Sequence, residues 1–282
     1  MSPLLSVPSV SGSSKPVNEL GYVRENLVAH YDAGAGDVGN STYYAYNLVK
    51  GPRADSNNYR LRFINRPTYT YRNLEVGNYV SYWDFDGSND YGYIDGSGSS
   101  SDFAFSLSET DDFTIEAWCN IEAVGSTDFL IGKWGGSNSN VAFLFGWESN
   151  RYQGMAWRNT SGSWHRCYTT DSSNRLTGVW VHMVWTFRRR DPDNSNKCHS
   201  CLYYNGVQTG GAYNPFTGWT NYGVTSGGNR LCYVGVTYYW SWAFNGKLSI
   251  MRIYAGKALT ASEVKRNYNA EGGHRFGKIH LT

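Results

Sequence analysis

The stretch Phe113-Thr114-Ile115-Glu116-Ala117-Trp118-Cys119-Asn120-Ile121 settles the class of fold. Phe113, Ile115, Ala117 and Cys119 fall on one face, and Thr114, Glu116 and Trp118 fall on the other. A period of two marks extended backbone, whose successive side chains point to opposite sides. A helix would return apolar residues every three to four positions, and no such spacing runs through this segment.

Working outward, strand candidates recur at regular intervals. Downstream they are Phe129–Trp134, Val141–Trp147, Gln153–Arg158, Trp164–Thr169, Val179–Arg188, Cys201–Tyr204, Leu231–Val236 and Lys247–Tyr254, bounded by Gly, Ser or Asn. Asn205-Gly206 is a hairpin signal, because both positions of such a turn need positive φ. Upstream, Tyr79–Phe85 and Tyr91–Ile94 flank the turn dipeptide Asp86-Gly87, and Leu27–Tyr31 opens the set. Residues 37–78 read as an irregular aromatic excursion with short strands at Tyr43–Leu48 and Tyr59–Ile64. About a dozen strands at this spacing mean a sandwich or barrel. One helix stands apart near Thr260–Tyr268, opened by the capping box Thr260-Ala261-Ser262-Glu263 and expected to cover an edge of the sandwich. The tail from Gly272 reads as loose.

Composition agrees. Aromatic residues make up 16% of the 282 positions and there are 32 glycines, a mixture that suits short strands and tight turns rather than long helices. The formal charge of +2 creates no field that would draw the chain to nucleic acid or anionic lipid. The one dense basic cluster, Arg188-Arg189-Arg190, reads as a solvated strand end before Asp191-Pro192-Asp193. No apolar run approaches the roughly 18 residues of a membrane span. Residues 1–24, rich in Ser, Pro and Val, read as an extended arm or as plain disorder. They lack the cationic start of a secretion signal. An odd count of five cysteines fits reduced thiols better than a closed disulfide framework.

Several segments, in register, are similar to the laminin-G-like branch of the concanavalin A-like lectin/glucanase superfamily. They are Phe85-Asp86-Gly87-Ser88-Asn89-Asp90-Tyr91, Phe113–Trp118, Gly178–Val184, Leu202–Val207 and Gly246–Tyr254, the last followed by Lys257–Val264. The resemblance implies an all-β, two-sheet antiparallel jelly-roll sandwich over residues 25–276, with one short C-terminal helix and a tail at 277–282. The opening Leu27–Gly34 and the ending Asn267–Gly277 resemble laminin-G-like proteins of bacteriophages and large aquatic viruses. That likeness implies a virion component, assembled in a host cytoplasm.

The chemistry of the residues narrows the function. The superfamily's hydrolases carry three acids on one strand in an ExDxxE-type pattern, so that one attacks while another protonates. Here Glu109-Thr110-Asp111 begins such a pattern and Thr114 ends it, while Glu116 stands as a lone carboxylate. No GxSxG elbow or phosphate loop is present. The expectation is a protein that is not an enzyme, with Glu116 and His182 in structural roles. Two metal sets are open. Asp86, Asn89 and Asp90 offer oxygens for calcium, with Asp32 as a further donor, against the reading of a turn that satisfies its own backbone. Cys198, Cys201, His165 and Cys167 have a spacing compatible with zinc, against free thiols or a local disulfide.

Two non-catalytic functions remain. One is a structural virion component (minor capsid, decoration or fibre) whose partners are capsid or fibre subunits, with symmetric self-assembly, for instance as a trimer. The other is a glycan-binding module at an extracellular or cell surface. It would stack sugar faces on Trp157, Trp164, Trp219, Tyr222, Tyr239, Trp240 and Trp242, rings that would serve equally as subunit contacts. A glycoside hydrolase with a rearranged acid pair is the third reading.

Overall fold

A computed structural model of the chain describes residues 21–35, 39–49, 59–75, 78–95, 112–123, 127–134, 141–148, 151–157, 164–168, 177–188, 199–210, 231–236, 242–272 and 275–276. Among these residues, two antiparallel eight-stranded sheets pack face to face. The first runs in the order β14 (Val207–Gly210), β13 (His199–Tyr204), β12 (Trp180–Arg188), β7 (Phe113–Ala123), β16 (Asn245–Ala255), β5 (Asn78–Asp86) and β4 (Thr68–Glu75). β1 (Leu27–Asp32) joins it along the second half of β16. The second runs β11 (Trp164–Tyr168), β10 (Arg151–Trp157), β9 (Val141–Glu148), β8 (Thr127–Trp134), β15 (Cys232–Val234), β6 (Tyr91–Ile94), β3 (Leu61–Ile64) and β2 (Tyr44–Ala45).

The period-two pattern places the core. Phe113, Ile115, Ala117 and Cys119 of β7 meet Phe143 and Phe145 of β9, Leu61 and Phe63 of β3, and Trp185 of β12 between the sheets. Phe113 sets its ring edge-on to Trp185 at 4.8 Å, a favoured aromatic geometry. Asn205 and Gly206 both have positive φ, 50° and 76°, and close the β13–β14 hairpin as that dipeptide requires.

The opposite face of β7 is also buried, from Thr114 to Asn120. What covers it is the helix α1 (Ala261–Gly272), longer than the sequence pattern suggested, together with both ends of the described chain. Thr260 caps α1: its hydroxyl accepts from the Glu263 amide at 3.3 Å, and the Glu263 carboxylate accepts from the Thr260 amide at 2.9 Å. Val264 packs on Val184, Tyr203 and Tyr254, with Val23 beside them. Tyr22 and Val23, which the sequence assigns to the arm, are therefore buried in the sandwich.

The tail is fastened as well. Phe276 stacks on Trp118 at 4.2 Å and 12°, and Tyr268 of α1 lies on the same indole at 5.6 Å and 14°. The sequence reading also passed over β4. Arg72, at φ 55°, shifts the register between Thr70 and Asn73, and this bulge breaks the alternation that would have revealed the strand.

Trp118 thus supports both α1 and the tail. Trp118→Ala is expected to cost about 3–5 kcal/mol, seen as a lower denaturant midpoint at unchanged slope. A loss below about 1 kcal/mol would mean that the covering layer does not rest on this ring.

Candidate functional site

Strand register makes Glu116 of β7 and Arg252 of β16 direct partners on the covered face of the first sheet. Both are 0% exposed. Arg252 Nη1 donates to Glu116 Oε1 at 2.7 Å, and Asn267 Nδ2, from α1, donates to Oε2 at 2.6 Å. His182 Nε2 of β12 lies 3.1 Å from Oε1. A buried carboxylate is tolerated only with such partners. Burial pushes Glu116 toward protonation, but Arg252, His182 and Asn267 outweigh it and hold its pKa at about 2.

The cluster extends to every covering element. Arg252 Nη2 pairs with Glu271 of α1, and its guanidinium lies 4.1 Å from the Tyr22 ring centroid. Asn267 Oδ1 accepts from the Val23 amide at 2.8 Å, while Tyr254 Oη donates to the Val23 carbonyl at 3.0 Å. Burial raises the pKa of Glu271 despite Arg252, and its Oε2 has no hydrogen-bond partner among the described residues. Burial, with Arg252 nearby, holds His30 well below the usual histidine range, and its Nδ1 faces Tyr22 Oη at 3.3 Å.

A second ion pair ties the first strand to the tail. Arg275 Nη1 and Nη2 donate to Asp32 Oδ2 and Oδ1, each at 2.7 Å, in the bidentate geometry that suits guanidinium and carboxylate. Burial opposes charge on Asp32; Arg275 and the Gly34 amide prevail, and its pKa falls to about 2. Gly34 is needed here because a Cβ would sit 2.5 Å from Arg275 Nη2. Asp32, offered above as an extra calcium donor, is thus engaged by Arg275.

The other sequence-derived candidates are scattered. Asp86 Oδ1 accepts from the amides of Ser88, Asn89 and Asp90 at 2.8–3.3 Å, and Asp90 Oδ2 accepts from the Asp86 amide at 3.3 Å. These oxygens are satisfied by their own turn, and the amides hold the Asp86 pKa below its usual value against slight burial. Cys167 faces the core between the sheets and donates to the Ser200 carbonyl at 3.4 Å, whereas Cys201 lies on the other face of β13, 3.4 Å from His199 Nε2. Cys119, Cys167 and Cys201 are free thiols, and burial pushes Cys167 and Cys232 up to about 12. His165 stands opposite Ala156 in the β10–β11 register, and Cys198 lies outside the described residues. No three His, Cys, Asp or Glu side chains among the described residues group around a point where a metal would sit. Trp157 and Trp164 stand opposite each other across β10 and β11. Trp242 is half-buried, its ring edge-on to Phe129 at 5.7 Å. Trp219, Tyr222, Tyr239 and Trp240, like Glu109 and Asp111, lie outside the described residues.

One group escaped the sequence reading. The register Tyr44↔Arg62↔Tyr93↔Tyr233 runs across β2, β3, β6 and β15, putting these four half-buried side chains in one row on the outer face of the second sheet. The local signal was present in Arg60-Leu61-Arg62-Phe63 and Tyr91-Gly92-Tyr93-Ile94, where one alternate position is polar or aromatic throughout. The alignment of the strands was not.

Comparison with known proteins places these features. A laminin-G-type family model, described as the concanavalin A-like lectin/glucanases superfamily, matches residues 86–265. Among curated proteins no sequence matches. Among solved structures, domain 4 of an extracellular arabinanase from Geobacillus stearothermophilus, in complex with arabinotriose, is similar with a TM-score of 0.53 at 19% identity. The match covers 87% of this chain and all of that one. The binding domain of Paraclostridial Mosquitocidal Protein 1 is similar at 0.56 and 16% identity, over 87% of this chain and 52% of that one. Trypanosoma rangeli sialidase is similar at 0.53 and 11% identity, over 86% of this chain and only 32% of its own. At these identities the likeness shows the fold.

The two acids held at about 2 set an acid limit on stability. Their contribution, on the order of 2–3 kcal/mol each, is complete above the ordinary carboxylate range and drains as pH falls from about 4.5 toward 2. Glu271, raised by burial, acts oppositely and favours the fold when protonated. Thermal melts should therefore show Glu271→Gln near wild-type or better at pH 7. Glu116→Gln should lose about 3–5 kcal/mol, because Arg252 keeps its buried charge with only Glu271 left to oppose it. A Glu116→Gln melt that matches wild type at pH 7 would contradict this assignment.

Proposed function

The chain belongs to the concanavalin A-like lectin/glucanases superfamily, and within that fold we propose that it works without catalysis, as a structural protein of a virus particle: a minor capsid, decoration or fibre component. The observation that carries this reading is the joining of the first and last described segments. Leu27–Gly34 and Asn267–Gly277 are the segments that resemble laminin-G-like virion proteins, and Asp32 of the first grips Arg275 of the second. Both segments are drawn onto one face of the first sheet, around Glu116 and Trp118. A building block that must persist without turnover gains from tying such distant segments together, since local opening is where proteolysis begins. The non-catalytic part of the proposal is supported by the use made of the acids: Glu116, Asp32 and Glu271 are spent in buried ion pairs, beyond reach of a substrate. Partners would then be other capsid or fibre subunits, with copies related by symmetry.

A second reading, glycan recognition, is favoured by the neighbours in fold. One was solved with arabinotriose bound, and two others are a toxin's binding domain and the receptor-binding domain of a botulinum neurotoxin. Both roles fit one surface-mounted sandwich.

Quantitative mass spectrometry of purified particles tests the first reading. A copy number compatible with the particle's symmetry, and no reducing sugar released from a polysaccharide panel, are the expected results. Absence from particles would end the structural assignment, and released sugar would end the non-catalytic one.

A further inference from the structure

We propose that the outer face of the second sheet, along Tyr44, Arg62, Tyr93 and Tyr233, is a binding site for saccharides carrying carboxylate or sulfate groups. The proposal rests on the glycan-recognition reading and gives it a place and a ligand class. The four residues come from adjacent strands in unbroken register. At the usual spacing of strands they form a row roughly 14 Å long, the scale of a short oligosaccharide.

Charge selects the ligand. Arg60 takes Asp95 with two N–H groups, from Nε at 3.1 Å and Nη2 at 3.0 Å to Oδ2, and lies 4.1 Å from the Tyr44 ring centroid. Arg62 Nε comes within 3.5 Å of the same carboxylate without a hydrogen bond among the described residues, and the side chain is 40% exposed. Two guanidiniums thus share one carboxylate, and the more exposed one is the less satisfied. Arg62 lies between two rings, 5.8 Å from the centroid of Tyr44 and 5.9 Å from that of Tyr93. Tyr91 approaches Tyr233 at 6.2 Å and adds a further ring at the far end.

This juxtaposition suits an acidic sugar. The guanidinium fork recognises a planar carboxylate or a sulfate through paired N–H groups. Rings on either side give the C–H faces of the adjoining sugars an apolar surface with hydroxyls at its margin. Rigid strands hold the row, so little ordering is required on binding. Single-stranded nucleic acid also uses rings and cations, but its affinity comes from many phosphate contacts. One exposed guanidinium beside a carboxylate does not provide them.

Calorimetric titration of the full chain tests the proposal, with a galacturonic-acid oligomer, a heparin hexasaccharide, a neutral cello-oligosaccharide and oligo-dT as probes. Binding of an acidic oligosaccharide in preference to the neutral one is expected. Arg62→Ala should weaken it about tenfold or more, and Arg62→Lys should restore part of the loss. Tyr93→Ala should weaken it several-fold, with Arg24→Ala as an unaffected control and unchanged near-ultraviolet dichroism showing that each variant is folded. Acidic-sugar binding that survives both Arg62→Ala and Tyr93→Ala would overturn this site and leave glycan recognition standing. No binding of any saccharide would overturn both, and tighter binding of oligo-dT would make the row a nucleic-acid surface instead.

Discussion

Glu116 is a carboxylate in the middle of a sheet, without solvent, and everything on that side of the molecule is arranged to keep it charged. Such a group costs several kcal/mol to bury unless a cation and hydrogen bonds compensate. Arg252 supplies the charge from the neighbouring strand, Asn267 a donor from α1, and His182 a ring nitrogen from β12. Asn267 then reaches the Val23 amide, and Arg252 reaches Glu271. One acid therefore specifies where the helix and the N-terminal segment must sit, and Arg275 on Asp32 repeats the device for the tail. Ion pairs of this kind contribute more to a unique arrangement than to net stability.

The consequence is a sandwich with unequal faces. The outer face of the first sheet is covered by α1 and by the first and last described segments, while the second sheet carries on its outer face a row of half-buried tyrosines and the partly exposed side chain of Arg62. Closure on one side and a polar, aromatic surface on the other suit a protein that is both a fixed part and a point of contact.

How much was legible in the sequence follows the range of each interaction. Alternation in β7, the Asn205-Gly206 hairpin and the capping box at Thr260 are local, and they read correctly from neighbouring residues alone. The turn at Asp86 is local too, and its side chain serves the amides two to four residues onward. β4 was hidden because positive φ at Arg72 interrupts its pattern. The burial of Glu116 was not legible. Thr114-Glu116-Trp118 resembles a solvent-facing set, and the residues that cover it lie more than ninety positions away. The Tyr44–Tyr233 row escaped for the same reason, since register between distant strands assembles it.

The central claim is that α1 and the N-terminal segment are integral to the sandwich through the Glu116–Arg252 pair. Native-state hydrogen exchange tests it most directly, by comparing the opening free energies of amides in α1 with those in β7. The account predicts that Val264–Tyr268 and Val23 exchange only with global unfolding, together with Ile115–Cys119. Exchange of α1 through a separate opening several kcal/mol below that of β7 would contradict it, and would make the helix a lid resting on an otherwise self-sufficient sheet.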